Sequence, residues 1–392
     1  MDNGGFMVPS VDEGICVNCG LCANACPALN VEGFLKFLRA PSRVFAAQLK
    51  DEALLSNSAS GGAFVAIAQS VLAEGGVVYG CASEGVKSRH VRIDSLEGLS
   101  ALQGSKYVQS EITGEVWRLF VSDLQNGTRV LFSGTPCQLA AARTLAGDND
   151  NLIMVDLICH GVGAPGFLEQ AVRDVERSRR CSVTALRFRT KIDGWGLLGV
   201  IETKEADKSR TRVYHPCLYP YYYYYYYLSG DVYRECCYSC PFARKERIGD
   251  FTVGDYWGIE DATLSPIGQD WESLGNAPRM QGASDTELVE RSGVSVLLAN
   301  SSKLSASFRS ALSARTWLYE TSLEDSLRKN GQLKAPSKRP VSRDTYERDY
   351  QSGALIGRFY ATGKLKRFTR RIFLSLPAEV RGALRALLKR IK

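Results

Sequence analysis

A cysteine run near the N-terminus constrains this chain more than any other feature. Its spacing is C-x2-C-x2-C-x3-C-P, with Cys16, Cys19, Cys22 and Cys26 followed by Pro27. The two-residue gaps let successive thiolates converge on one face of an iron–sulfur cube, so the run predicts a 4Fe-4S cluster. The alternative is a zinc knuckle, which would use the same kind of ligand.

The run occurs only once in the chain, which leaves the role of its last cysteine open. In ferredoxins with two clusters, the fourth cysteine of such a run ligates the other cluster. Cys26 can therefore belong to either of two clusters. A second cluster would need further thiolates elsewhere in the sequence.

Four later cysteines stand in positions that suit a second cluster. Cys137 follows one apolar run, Cys159 ends another, and Cys237 with Cys240 forms a C-x2-C pair before a proline. The sites of α/β folds collect at strand ends, so we predict that these four thiolates hold a second 4Fe-4S cluster. The alternatives are buried apolar cysteines and a four-thiolate zinc site, because ligand type alone does not separate zinc from iron.

The remaining cysteines bear on the compartment of the protein. The N-terminus has neither a basic start nor an apolar h-region, and no unbroken apolar run reaches the roughly 18 residues of a membrane span. We therefore expect a cytoplasmic chain without a disulfide framework. Four cysteines are expected to be structural: Cys81, Cys181, Cys217 and Cys236. Of these, Cys236 adjoins the C-x2-C pair and could replace one of its ligands.

Apolar runs and helical patterns alternate over the first half of the chain. Short buried strands are predicted at 77–80, 130–132 and 152–158, and apolar residues recur at helical spacing over 64–72 and 167–175. This alternation predicts an α/β architecture.

The second half has a different pattern. Strand-like runs dominate 183–260, a polar segment rich in Gly and Pro at 262–290 predicts a loop or lid, and 294–298 predicts another strand. Residues 302–329 are predicted to be helical, and 330–350 to form a charged linker.

Seven consecutive tyrosines at 221–227 form the one low-complexity stretch. Seven neighbours cannot share one environment, so the stretch predicts a half-buried helix or strand with some hydroxyls in water. A surface that stacks on a flavin or a sugar is the alternative.

The net charge of +7 is located in the C-terminal tail. Residues 361–392 carry ten Lys and Arg against one acid, whereas the rest of the chain has a net charge of −2. Apolar and basic residues there recur at helical spacing on either side of Pro377, which predicts two basic amphipathic helices for a membrane surface or for packing on the body or on a partner. We expect no nucleic-acid binding, because the body is near neutral and the tail offers few stacking side chains.

Seven short segments between residues 16 and 258 resemble one known family. They are the cysteine run at 16–27, SASGG at 58–62, QGSKYV at 103–108, GTPCQ at 134–138, CHG at 159–161, CYSCPF at 237–242 and GDFTVGDYWG at 249–258. Together they resemble the coenzyme F420 hydrogenase/dehydrogenase beta subunit family of iron–sulfur flavoproteins. The resemblance implies FAD, 4Fe-4S clusters and electron transfer between them. Some members reduce coenzyme F420, and others act on pterin-like, chlorophyll-type or unknown acceptors.

The resemblance and the patterns together predict the fold class α/β, mixed α+β. A short ferredoxin-like 4Fe-4S segment at 1–40 would lie on an α/β flavin-binding body. That body would comprise an N-terminal unit at 41–180 and a C-terminal unit of the same family at 181–335, which contains the C-x2-C pair. A linker and the basic helical tail would occupy 336–392.

Several residues in the resembling segments are candidates for the flavin site. Free backbone N–H groups after Gly61 and Gly62 would face an anion at a helix start, although an ordinary helix cap is the alternative. The predicted cofactor-binding set is Ser60, Gly61, Gly62, Lys106, Gly134, Thr135 and Asp255. The catalytic candidates are Lys106 and His160, the latter for proton transfer. An exposed lysine and a structurally hydrogen-bonded histidine are the competing interpretations.

The leading hypothesis is an iron–sulfur flavoenzyme that passes electrons through the clusters to FAD and on to a small-molecule acceptor, coenzyme F420-like or unknown. Its electron donor would be a redox partner such as ferredoxin or another subunit. Two hypotheses compete with it: a non-catalytic electron-transfer subunit of a larger complex, and a zinc-stabilised interaction protein. We expect a cytoplasmic location, with the tail as a possible contact to the inner membrane face.

Overall fold

The structure is a computed structural model of the 392-residue chain. It describes residues 1–205, 208–214, 222–267, 280–282, 286–303 and 305–361, together with Leu376 and Val380.

The strands of the described residues form one large and one small sheet. They are β1 (Arg43–Leu49), β2 (Val77–Glu84), β3 (Lys87–Ile93), β4 (Val130–Gly134), β5 (Leu152–Leu157), β6 (Ser182–Arg187), β7 (Gly199–Glu205), β8 (Lys208–Tyr214), β9 (Phe251–Asp255), β10 (Thr263–Pro266), β11 (Met280–Gln281), β12 (Ser295–Ala299) and β13 (Thr316–Thr321). The large sheet has the order β11-β10-β13-β1-β12-β9-β5-β4-β2-β3, and the small sheet has the order β6-β7-β8.

Helices fill the connections between these strands. They are α1 (Leu21–Ala25), α2 (Val31–Leu35), α3 (Glu52–Asn57), α4 (Ala63–Ala73), α5 (Leu99–Leu102), α6 (Gly114–Gln125), α7 (Pro136–Ala146), α8 (Pro165–Arg179), α9 (Tyr222–Ser229), α10 (Ala306–Arg315), α11 (Leu323–Leu327), α12 (Tyr346–Gln351) and α13 (Ala354–Ala361). The predicted mixed α/β class and the α/β alternation of the first half are confirmed.

The large sheet is covered by helices on both faces. Successive residues of a strand point to opposite faces, and β2 shows this alternation. Val78 packs with α4 and α10, whereas Val77 and Tyr79 pack with α6 and α7. Because both faces of the sheet are buried, the central strands are continuous apolar runs in the sequence, as is typical of buried parallel strands.

The direction of the strands decides where functional side chains meet. Strands β2, β4, β5 and β9 run parallel, and β1 shares their direction because it is antiparallel to β12, which is antiparallel to β9. Their carboxyl ends therefore lie along one edge of the sheet, which we call the carboxyl edge. Cys137, Cys159 and Asp255 lie at or just after these strand ends. The turn that contains Gly61 and Gly62 follows α3 and returns to the end of β1, where the N–H of Leu49 donates to the carbonyl oxygen of Gly61.

The sheet combines strands from both predicted units of the body. Strand β1 comes from the unit predicted at 41–180, and it pairs with β12 and β13 from the unit predicted at 181–335. The boundary between the two units stays a prediction.

Two predictions for the C-terminal half are wrong in part. Residues 302–329 contain two short helices but also β13, because 316–321 carries β-branched and aromatic residues that pair with β1. The segment predicted as a charged linker docks on the body: Tyr346 is buried, and its hydroxyl donates to the carbonyl oxygen of Gly4 at 3.0 Å.

The tyrosine run forms helix α9, as one of the predicted alternatives stated. Five tyrosines are buried rather than half in water: Tyr222, Tyr223, Tyr224, Tyr226 and Tyr227. They can be buried because α8, the small sheet and the docked C-terminal helices surround them. Tyr221 lies outside the described residues.

The basic tail also lies outside the described residues, apart from Ala361, Leu376 and Val380. Its contact with a membrane surface stays a prediction. Within the part of the chain that the structure describes, no helix is long and apolar enough to cross a membrane.

Candidate functional site

The structure brings the four cysteines of the predicted second cluster to the carboxyl edge. Cys137 lies in the first turn of α7, directly after β4, and Cys159 follows β5. Cys237 lies in a 3-10 helix (Glu235–Ser239) that leads to Cys240. The sequence alone placed the first two at strand ends, and the fold adds the C-x2-C pair beside them.

The loop that carries the C-x2-C pair is tied to the chain beyond Cys159. The backbone N–H of Arg234 donates to the carbonyl oxygen of Val162 at 3.1 Å, and the N–H of Cys237 donates to that of Arg234 at 2.9 Å. These bonds fix the start of the loop against the segment that follows β5.

Arg247 stabilises the other end of this loop, just after Cys240, through buried polar contacts. Its guanidinium forms an ion pair with Asp156 at 3.1 Å, and both side chains are almost fully buried. It also donates to the carbonyl oxygens of Leu157 and Phe242, each at 3.0 Å. One buried side chain therefore joins the end of β5 to the residues just after Cys240.

The thiols of this region affect one another electrostatically. The pKa of Cys159 is raised to about 12, first by burial and then by repulsion from charge on Cys137 and Cys240. Cys137 is exposed, but the protein that surrounds its thiol raises the pKa, and Cys240 and Cys236 add to the rise. These thiols therefore lie within electrostatic range of one another.

Cys236 belongs to the same group, although it was predicted to be structural by default. The hydrogen bond that it accepts from Cys237 lowers the pKa of its thiol. That bond and burial raise the pKa of Cys237. Since a metal ligand must be a thiolate, Cys236 is a fifth candidate ligand, as the sequence allowed.

The chemistry of this donor set fits an iron–sulfur cluster. Gathered thiolates are the soft ligands that iron–sulfur and zinc sites use. Burial raises the pKa of Cys159 and of Cys240, and the charge of Arg247 opposes this rise in both. Across the described residues, no three metal-binding side chains are already arranged around a common centre. The thiols are thus close together without being in ligand geometry.

The N-terminal cysteine run lies at the surface. Cys16, Cys19 and Cys22 are exposed, and Cys26 is partly buried. Gly20 has a φ of +72° just before α1, a left-handed conformation that glycine adopts without strain and that turns the chain between the ligands. The backbone therefore bends inside the run, as a convergent ligand set needs.

The turn predicted to face an anion is built into the carboxyl edge. The hydroxyl of Ser60 donates to the carbonyl oxygen of Val294 at 2.7 Å, and the carbonyl oxygen of Gly61 accepts from the N–H of Leu49 at 2.8 Å. Gly62, with a φ of +80°, is the N-cap of α4. The turn fits tightly between β1 and β12, and its contribution to a flavin site stays a prediction.

Replacing Gly61 with alanine should destabilise the fold. The new Cβ would collide with the carbonyl oxygen of Ala47 and the backbone nitrogen of Ser295, neither of which can move freely. We expect the free energy of unfolding to fall by about 1–3 kcal/mol, which urea titration would measure. Gly196→Ala is the matched control because no atom lies within 4 Å of its Cβ position. Equal stability of the two variants would contradict the packing described here.

Lys106 is held by backbone carbonyls. Its ammonium donates to the oxygens of Ala101, Leu102 and Gln103 at 3.3, 3.1 and 2.7 Å, which satisfies the C-terminal end of α5. Burial lowers its pKa to about 8. The ammonium is therefore engaged as a helix cap, and a role toward phosphate or flavin stays a prediction.

Asp255 is the centre of a partly buried polar cluster at the end of β9. It forms an ion pair with Arg189 at 2.9 Å and accepts a hydrogen bond from the indole of Trp195 at 2.9 Å. Arg189 also donates to the hydroxyl of Tyr107 at 3.1 Å. The protein that surrounds the imidazole of His160 lowers its pKa, and the nearby charge of Asp255 opposes that shift.

The structure thus adds residues that the sequence patterns missed. Arg189 and Trp195 come from the connection between β6 and β7 and carry no motif. Asp156 did give a signal, because it is an acid inside the apolar run of β5. A charge in such a run needs a buried partner, and that partner is Arg247.

Two family profiles match the chain. The profile for the C terminus of the coenzyme F420 hydrogenase/dehydrogenase beta subunit matches residues 127–323, which is just over half of the chain. The profile described as 4Fe-4S binding domain matches residues 9–29 and so contains the whole N-terminal cysteine run. The second match confirms the prediction of a 4Fe-4S segment.

The chain is also similar to a solved structure. A chain of the F420-reducing nickel–iron hydrogenase complex from Methanosarcina barkeri is 14% identical to this chain, with a TM-score of 0.44. The match covers 80% of this chain and 92% of that chain. No curated protein matches the sequence.

Proposed function

This chain belongs to the coenzyme F420 hydrogenase/dehydrogenase beta subunit family, and from that premise we propose that it is an iron–sulfur flavoprotein oxidoreductase. It passes electrons between two 4Fe-4S clusters and FAD, and from FAD to a small-molecule acceptor, coenzyme F420-like or of another class. Clusters carry single electrons, and a flavin exchanges them for electron pairs or a hydride.

The gathering of thiols at the carboxyl edge carries this proposal. Cys137, Cys159, Cys237 and Cys240 are the proposed ligands of the second cluster, with Cys236 as a fifth thiol beside them. Cys16, Cys19, Cys22 and Cys26 are the proposed ligands of the first cluster. Without a metal, the raised pKa values of Cys137 and Cys159 keep both groups neutral, whereas a bound cluster would hold them as thiolates.

The proposed flavin site lies along the same edge. The 58–62 turn precedes α4, and Gly134 and Thr135 precede α7, so two helix N-termini point their N–H groups there. Asp255 with Arg189, and His160 nearby, supply charged and proton-transferring groups. We propose that His160 moves a proton at the acceptor and that Lys106 tunes the site electrostatically.

A beta subunit implies other subunits, so we propose a redox partner protein, a ferredoxin or another subunit, as the electron donor. The exposed 4Fe-4S segment is the natural entry point because its thiols lie at the surface. The protein would act in the cytoplasm, and its basic tail could contact an anionic membrane face.

Turnover by the isolated holoprotein tests whether the chain is an enzyme. The full chain would be purified without oxygen, given a reduced viologen dye as artificial donor, and assayed with coenzyme F420 as the first trial acceptor. Oxidation of the dye that depends on an added acceptor supports the proposal. Dye oxidation only in the presence of a protein partner would instead identify a non-catalytic electron-transfer subunit.

A further inference from the structure

A continuous hydrogen-bonded chain runs inward from Cys137. The hydroxyl of Thr135 lies 3.2 Å from the Cys137 sulfur and 3.1 Å from the Oε1 atom of Gln138. The Nε2 atom of Gln138 donates to the hydroxyl of Ser110 at 2.9 Å. That hydroxyl lies 3.2 Å from the Nδ1 atom of His90. Five side chains thus form one polar network.

The far end of the network fixes the direction of its bonds. The Nε2 atom of His90 lies 3.1 Å from the carbonyl oxygen of Ser133, which can only accept, so Nε2 carries the proton. The Nδ1 atom must then accept the hydrogen of the Ser110 hydroxyl. The oxygen of Ser110 in turn accepts from the amide of Gln138, whose Oε1 atom therefore faces Thr135.

The His90 end of the network is buried and is held in place by its contacts. His90 is only 2% exposed, and its ring stacks on Phe132 with the centroids 5.6 Å apart. Burial lowers the pKa of His90 to about 4, so the ring stays neutral at neutral pH. Its tautomer is consequently set by the fold.

Within the network, the Thr135 hydroxyl has two alternative partners, the Cys137 sulfur and the Oε1 atom of Gln138. The Oε1 atom of Gln138 already accepts the backbone N–H of Thr135 at 2.9 Å. Gln138 therefore keeps a partner even when the Thr135 hydroxyl turns away. While the Cys137 thiol keeps its proton, it can donate to Thr135; as a thiolate it can only accept. Loss of that proton reverses the bond between the two side chains.

We propose that the Thr135 hydroxyl turns from the Oε1 atom of Gln138 and donates a hydrogen bond to the Cys137 sulfur once that sulfur binds iron, while Ser110 and His90 hold Gln138 in place. This inference rests on the proposed second cluster. Thr135 keeps its hydrogen throughout, and cluster reduction adds one electron without moving a proton. Thr135 is thus a positioning residue that tunes one cluster.

The expected direction of the effect follows from charge. A hydrogen bond to a cluster sulfur is charge-assisted, and it stabilises the reduced cluster more than the oxidised one because the reduced cluster is more negative. Removing the donor should therefore make the reduction potential of that cluster more negative. Outer hydrogen bonds of this kind are a known means of tuning metal centres.

Thr135→Val removes the hydroxyl at nearly constant volume and tests the proposal. In a redox titration followed by electron paramagnetic resonance, we expect one cluster of the variant to titrate at a more negative potential and the other to stay unchanged. Thr135→Ser keeps a hydroxyl and should restore the wild-type potential. Thr113→Val removes a hydroxyl that caps α6 by accepting the N–H of Val116, outside the network that ends at Cys137, and should shift neither cluster.

Gln138→Leu separates tuning from damage to the loop. It removes the acceptor that competes for the Thr135 hydroxyl, so the same cluster should titrate at an equal or more positive potential. If the reduction potential of that cluster fell as far in Gln138→Leu as in Thr135→Val, damage to the loop would explain the effect of both variants. That result would overturn the proposal. Two clusters with unchanged potentials in Thr135→Val would overturn this inference alone. A wild-type protein with one cluster would overturn it together with the second-cluster assignment.

Discussion

Replacing Arg247 with alanine is expected to lower the free energy of unfolding by about 3–5 kcal/mol, because it leaves the carboxylate of Asp156 buried without its partner. The Arg247 side chain is 1% exposed and that of Asp156 is fully buried. The carbonyl oxygens of Leu157 and Phe242 would lose a donor as well. Denaturant unfolding of the two proteins measures the difference.

Two further variants isolate the cause of this loss. Arg244→Ala removes an arginine from the same loop whose side chain is 44% exposed and paired with Glu246, so it should cost less than about 1 kcal/mol. Adding Asp156→Asn to Arg247→Ala removes the uncompensated charge and should recover part of the stability. A double variant less stable than Arg247→Ala would contradict the role assigned to this ion pair.

Cys137→Ser is expected to remove the second cluster and leave the first in place. A serine hydroxyl is a much poorer ligand than a thiolate for iron–sulfur clusters, so the iron content should fall from about eight to about four per chain. Iron analysis of protein purified without oxygen measures the change.

Cys181→Ser is the matched control for this experiment. Cys181 lies between α8 and β6, and its pKa is raised by burial and by Glu205 and Glu176, not by another cysteine. Its replacement should leave the iron content unchanged. Unchanged iron in Cys137→Ser would refute the assignment of Cys137 as a ligand.

The sequence predicted those parts of the fold that rest on local patterns. The apolar runs at 130–132 and 152–158 became β4 and β5, since strands buried on both faces need apolar residues at every position. Residues 316–321 were missed as a strand because their pairing partner, β1, is far away in the sequence. A helical pattern on either side outweighed the local strand signal.

The candidate site shows the same division. The N-terminal run and the C-x2-C pair are motifs whose cysteine spacing by itself predicts ligation of a metal cluster. The contacts of Arg247 with Asp156, and of Arg189 with Asp255, join residues more than 60 positions apart. The topology of the sheet brings the members of these pairs together, so no local sequence pattern predicts the contacts.

The charge of the chain illustrates what sequence arithmetic can do alone. It separates a body with a net charge of −2 from a tail that holds the excess of basic residues. That separation excludes a whole-chain electrostatic argument for nucleic acid. All twelve cysteines lie in that body, so the proposed clusters do as well.

Iron and flavin content per chain tests the proposed cofactor set most directly. The full-length protein would be purified without oxygen, its iron and zinc measured by elemental analysis, and its flavin released by denaturation and quantified. We expect about eight irons and about one FAD per chain, with broad visible absorption from thiolate-ligated iron. A colourless protein that contains zinc and no flavin would contradict the proposed function.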